Sequence, residues 1–134
     1  MNVQDLRLDT SASKFVDLTP AIRDFCQGVG DGLLSVFAPH ATVGLAIMEL
    51  GSGSEADLEA ALARLLPRDD SIYGHRHGSP GHGADHLLPA LLSPSLVIPV
   101  SGGIPGLGVW QSVVLIDLNS DNPERTVRLS ILPA

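Results

Sequence analysis

At 134 residues, with 44% apolar and only 17% charged side chains, the chain has the size and composition of one packed domain rather than a disordered segment. Eight Lys and Arg against fifteen Asp and Glu leave a net charge of −7, which gives no basic footprint for nucleic acid. No stretch approaches the ~20 apolar residues of a membrane span, the N-terminus has no basic start followed by an apolar run, and Cys26, the single cysteine, excludes an intrachain disulfide and a Cys-rich metal site. A single cytoplasmic domain over 1–134 is expected. So few charges on a small chain also point to surface buried against other subunits.

Residues 3 to 17 alternate apolar and polar around Val3, Leu6 and Leu8 and then Phe15, Val16 and Leu18, and predict two short strands. Thr19 and Pro20 open a helix, Thr as a cap and Pro at the first helical position, which ends by Gly28 to Gly30. Cys26 falls on its apolar side as an inert core thiol. The runs GLLSVFA and TVGLAIME, parted by Pro39 and His40, predict two adjacent strands. Ser54 begins SEADLEAALARLLP, whose apolar residues recur at three and four residue steps and whose Glu55 and Asp57 suit a helix N-terminus.

From Ser71 to Gly83 four glycines, a proline and three histidines predict a loop, and a short helix follows over about Asp85 to Leu92, with Pro89 limiting it to one or two turns. SLVIPV is a strand, SGGIPGLG a loop, VWQSVVLIDL a long strand, 119–123 a turn and ERTVRLSIL the last strand. Strands dominate and helices come in blocks, so an α+β fold with a largely antiparallel sheet or sandwich and two to three helices is expected.

Four of the five histidines, His75, His77, His82 and His86, lie within twelve residues. Neutral imidazole is the commonest metal ligand, and three converging rings suffice to hold an ion. A solvated loop that merely tolerates histidine is the alternative. His40, at a strand start, reads by itself as an ordinary hydrogen-bonded histidine. Glu49 closes an apolar strand and is a candidate general base, with a solvated strand terminus as the alternative. GGIPGLG offers backbone amides to an anion, although a tight β-connection explains its glycines equally well. Trp110 and Gln111 suit stacking and hydrogen bonding to a ring, though a lone Trp is more often core. With one lysine in the chain, an anionic ligand must be met by arginines such as Arg125 and Arg128, by backbone amides or by a metal.

The segment SLVIPVSGGIPGLGVWQSV resembles the signature of the YjbQ family, a serine, alternating aliphatics, a glycine loop and G-T-W-Q at fixed spacing, with Ser95, Gly103, Gly108, Trp110 and Gln111 in place. HATVGLAIME is similar to the family's H-T-S-A-x-L-x-x-N-E and carries over His40 and Glu49. IYGH resembles Y-x-H and carries over Tyr73 and His75. GADHLLPALL resembles the A-H-L-K segment and carries over His86.

The resemblance implies a homotrimer whose subunit is a compact α+β domain, with His40, His75 and His86 lining a cleft near the subunit interface and holding a divalent metal, zinc ahead of nickel or iron. His77 and His82 then become supporting or solvent-facing residues. It also implies a reaction, secondary thiamine-phosphate synthesis, in which Glu49 and Gln111 act on a small, possibly phosphorylated molecule held by Tyr73, Gly103, Gly108, Trp110 and Arg125. The chain departs from the pattern at two cations. Leu88 replaces the lysine of A-H-L-K, and Ile104 the Lys or Arg after the loop glycine. Ala41, Thr42, Met48 and Val109 also differ, so a divergent enzyme stands beside a non-catalytic trimeric protein that binds a metal or small metabolite.

Overall fold

The computed structural model describes all of residues 1–134. In chain order the elements are β1 (Asn2–Asp9), β2 (Phe15–Asp17), α1 (Thr19–Cys26), β3 (Gly32–Phe37), β4 (Gly44–Met48), α2 (Ser54–Leu65), α3 (His82–Leu91), β5 (Ser95–Ser101), β6 (Ile104–Pro105), β7 (Ser112–Ile116) and β8 (Glu124–Pro133). A five-stranded sheet runs β1-β8-β3-β5-β6 and a three-stranded sheet β2-β7-β4, with every pairing antiparallel. The α+β class with three helices and mostly antiparallel, curled sheets is as the sequence predicts.

The alternation of the strands decides the layers. On β3, β5 and β8 the inward residues Leu34, Val36, Ile98, Val100, Val127, Leu129 and Ile131 form the main core with Leu45, Val113 and Leu115 from the three-stranded sheet and Ile22 and Cys26 from α1. The opposite face of the three-stranded sheet, Val114 and Ile116, packs with Leu62 of α2 and Leu88 of α3 in a second core. This explains the unbroken run VVLI: β7 is central in its sheet and buried on both faces, so it has no side to make polar.

Several local expectations change. Thr19 does not cap α1. Its hydroxyl accepts the Val113 amide instead, and Asp17 Oδ1 accepts the Thr19 amide at 2.9 Å. β7 begins at Ser112 rather than Val109, because Gln111 turns the preceding chain back on Gly108. α3 starts three residues before the expected Asp85 and continues through Pro89 to Leu91, so His82 is helical. That last difference builds the site.

Candidate metal centre

Gly81, at φ +89°, turns the chain into α3, and its amide donates to Asp70 Oδ1 at 3.0 Å. Starting the helix at His82 puts His82 and His86 one turn apart on one face. Their Nε2 atoms lie 2.9 Å apart. Two bare lone pairs at that distance repel, so a proton or a cation must sit between them. The preceding loop brings in two more rings. The His75 centroid lies 4.1 Å from that of His86, 4.8 Å from that of His82 and 4.2 Å from that of His77.

One ligand atom each from His75, His82 and His86 lies within 4.8 Å of the others. Ligands of a tetrahedral ion at 2.0–2.1 Å stand about 3.3 Å from one another, so small side-chain rotations complete the fit. The loop can come this close because residue 78 is glycine. It has φ +86°, and a Cβ there would collide with His82 Nδ1 and the Asp121 carboxylate.

The rings are held from behind. Asp121 Oδ2 lies 2.6 Å from His82 Nδ1, and its Oδ1 accepts the Ser79 amide at 2.9 Å. Hydrogen bonds from Ser79, His82 and Asn119 hold the Asp121 carboxyl far below the usual carboxylate range. It is an acceptor only, so His82 carries its proton on Nδ1 and turns the Nε2 lone pair toward His75 and His86. Asn119 Nδ2 reaches both Asp121 Oδ2, at 3.4 Å, and Asp85 Oδ2, at 2.9 Å. Asp85, 1% exposed, takes Arg68 Nη1 and Nη2 at 2.5 and 3.1 Å. Loss of hydration first, and neighbouring imidazoles second, pushes the His75 and His86 pKa values down, which keeps both rings neutral and able to donate lone pairs at pH 7.

His40 is placed elsewhere. β3 stops at Phe37, leaving the β8 edge unpaired beyond Arg128, and His40 Nε2 takes over by accepting the Thr126 amide at 2.9 Å. That bond occupies Nε2, and burial, with the Arg125 charge second, pushes its pKa down. Of the triad implied by resemblance, the chain brings together His75 and His86, with His82 in third place. Arg125 is 4% exposed and forks onto Asp117 through Nε at 2.7 Å and Nη2 at 3.1 Å, while Nη2 also donates to Thr42.

The other candidates serve local structure in this chain. Glu49 is exposed just past β4 and accepts from Ser52. Gln111 accepts the Gly108 amide, Tyr73 donates its hydroxyl proton to Pro67 O at 2.6 Å, and Gly103 has φ +78° where a Cβ would press on Cys26 O. Trp110, a candidate to stack on a ligand ring with core as the alternative, is not in the core: it is 74% exposed beside Val109 at 91%.

The chain has relatives in sequence and in fold. The family model described as "UPF0047 protein YjbQ-like" matches residues 4–134. The chain belongs to the YjbQ family. A UPF0047 protein of Mycobacterium tuberculosis is 60% identical over 132 residues, covering 98% of both chains, and one of Methanothermobacter thermautotrophicus is 34% identical over 96% of this chain and 90% of its own. Among solved YjbQ-like folds, a hypothetical protein of Aeropyrum pernix superposes with a TM-score of 0.87 at 27% identity over 100% of both chains. An uncharacterized YjbQ/UPF0047 protein of Clostridium acetobutylicum gives 0.85 at 26% identity, covering 96% of this chain and 99% of its own.

The residues alone put His82 in the candidate cluster, and the resemblance set it aside as a supporting or solvent-facing residue in favour of His40; Asp85, Asn119, Asp121 and Arg68 were missed altogether. The spacing of His82 and His86, four residues apart, was the available signal, concealed by Gly81 and Gly83 on either side of His82. Asp117, Asn119 and Asp121 alternate in what reads as an ordinary polar turn.

Proposed function

We propose that this member of the YjbQ family holds a divalent metal, zinc ahead of nickel or iron, on His75, His82 and His86 and acts as a metal-dependent enzyme on a small, possibly phosphorylated molecule. The observation that carries the reading is the facing pair of Nε2 atoms at 2.9 Å, with Asp121 behind His82 and His75 alongside. A structural zinc site fills all four positions with protein ligands, whereas three histidines leave a position for a reactant. An ion bound there supplies Lewis-acid polarisation of a substrate oxygen. Asp121 fixes the His82 tautomer and ring plane, and exposed His77 stands beside His75 where it can pass protons to solvent.

Secondary thiamine-phosphate synthesis, joining a pyrimidine pyrophosphate to a thiazole phosphate, is the reaction to assay. Homotrimer formation is part of the same reading. On the outer face of the five-stranded sheet Val3, Leu33, Phe37, Val97 and Leu132 are each 41–64% exposed, and the β3–β8 register places Leu33 opposite Leu132. Such a patch suits a partner subunit.

Purified protein should carry about one metal ion per subunit, and His82→Ala and His86→Ala should each lose it. Full metal retention by both variants would overturn the site. The second reading, a non-catalytic binding protein, is favoured by Leu88, 1% exposed in the second core, so that the family's lysine position offers no cation to a ligand. A metal-loaded protein that forms no thiamine phosphate, yet is thermally stabilised by thiazole phosphate, would decide for it.

A further inference from the structure

A fourth ring stands at the histidine cluster. The His77 centroid lies 4.2 Å from that of His75 and 4.6 Å from that of His82, within the 4.1–4.8 Å range that relates His75, His82 and His86 to one another. Imidazoles bound through nitrogen to one tetrahedral ion have ring centres about 5 Å apart, so His77 meets the same spacing as the other three. The residue between the two loop histidines is tied down. Arg76 Nε donates to Tyr73 O at 2.6 Å and Nη2 to Ser71 O at 3.2 Å, which occupies its guanidinium with the preceding turn and leaves the two imidazoles side by side.

The four rings are not held equally. His82 and His86 project from α3, and Asp121 stands 2.6 Å behind His82. The His75 carbonyl packs so closely on Gly83 of α3 that a Cβ there would collide with it, and its ring meets three neighbours. His77 is exposed, meets two rings and has no carboxylate behind it. A backing acceptor fixes a ring and strengthens its bond to a metal, so His77 is the ligand most easily exchanged.

We propose that His77 is a fourth, exchangeable ligand of the metal centre, closing the coordination at rest and yielding its place to an incoming reactant. This rests on the three-histidine site proposed above and adds a gate to it, because the open position is presented only when a competing donor takes the place of His77. With His77 on the ion about nine-tenths of the time, its loss weakens zinc binding about tenfold and strengthens binding of a competing ligand by the same factor.

The test uses the zinc-loaded full chain, labelled at the histidine ring nitrogens for NMR and titrated with azide as a small monodentate donor. A zinc-bound pattern is expected at His75, His77, His82 and His86 and a free pattern at His40, with azide returning His77 alone to the free pattern. His77→Ala changes an exposed side chain and should fold, bind zinc about tenfold more weakly and bind azide about tenfold more tightly. A free His77 ring while the other three are bound, release of another ring or of none by azide, or unchanged zinc and azide affinities in His77→Ala would each overturn the exchangeable ligand and leave the three-histidine site standing. Zinc bound to none of the four rings would overturn both.

Discussion

Replacing Asp117 by alanine removes the anion from the most deeply buried ion pair of the protein. Asp117 is 2% exposed and accepts four bonds, from Arg125 Nε at 2.7 Å, Arg125 Nη2 at 3.1 Å, Thr10 Oγ1 at 2.7 Å and the Asn119 amide at 3.0 Å. Arg125 is 4% exposed and cannot deprotonate, so the variant buries an uncompensated guanidinium, at a cost of about 3–5 kcal/mol. For 134 residues the unfolding entropy is about 0.28 kcal/mol/K, so Tm should fall by about 11–18 °C. Calorimetry of metal-free Asp117→Ala measures this directly. The double variant Asp117→Leu with Arg125→Met should recover most of the loss, because hydrophobic replacement of a buried pair is often neutral. A drop below about 3 °C, or a double variant no better than the single one, would show that Arg125 is not held by this pair and is available to a ligand.

Asp121→Ala should weaken zinc binding about 10–100-fold at pH 7, measured by competition with a chromophoric chelator, with Asp121→Asn intermediate because an amide oxygen still accepts from His82 Nδ1. His40, His75 and His86 all have pKa values pushed below the ordinary histidine value of about 6.5, so the unfolded chain binds more protons than the folded one. Stability of the metal-free protein should be complete above about pH 6.5 and decline below it. A urea midpoint unchanged between pH 7.5 and 5.5 would contradict this, and His40→Gln should flatten part of the slope. Cys26 is fully buried in the main core, and burial pushes its thiol pKa up, so a disulfide reagent should label it only in denaturant.

Periodicity of the apolar residues was enough to place the strands and α2, because a strand with one buried face must alternate and a helix must repeat at three to four residues. The same logic revealed the α+β class, and the motifs around His40, His75, His86 and Trp110 revealed the family. Composition and charge limited the chemistry to histidine and carboxylate donors. These are properties of short stretches of chain, so they are legible without coordinates.

The histidines of the site are local in sequence, but which of them converge, and what holds them, is not. His82 looked like part of a glycine loop, and only packing against Tyr73 and the His75 carbonyl, too close for a Cβ at Gly83, starts α3 early enough to turn it toward His86. His40 had the family's position, yet the end of β3 at Phe37 left an unpaired Thr126 amide that its ring satisfies. Asp121 and Asn119 are more than thirty residues from the groups they hold, at His82 and Asp85. Whether a polar residue meets a metal ligand, a strand edge or water depends on which element ends beside it, and that is decided when the sheets and helices pack.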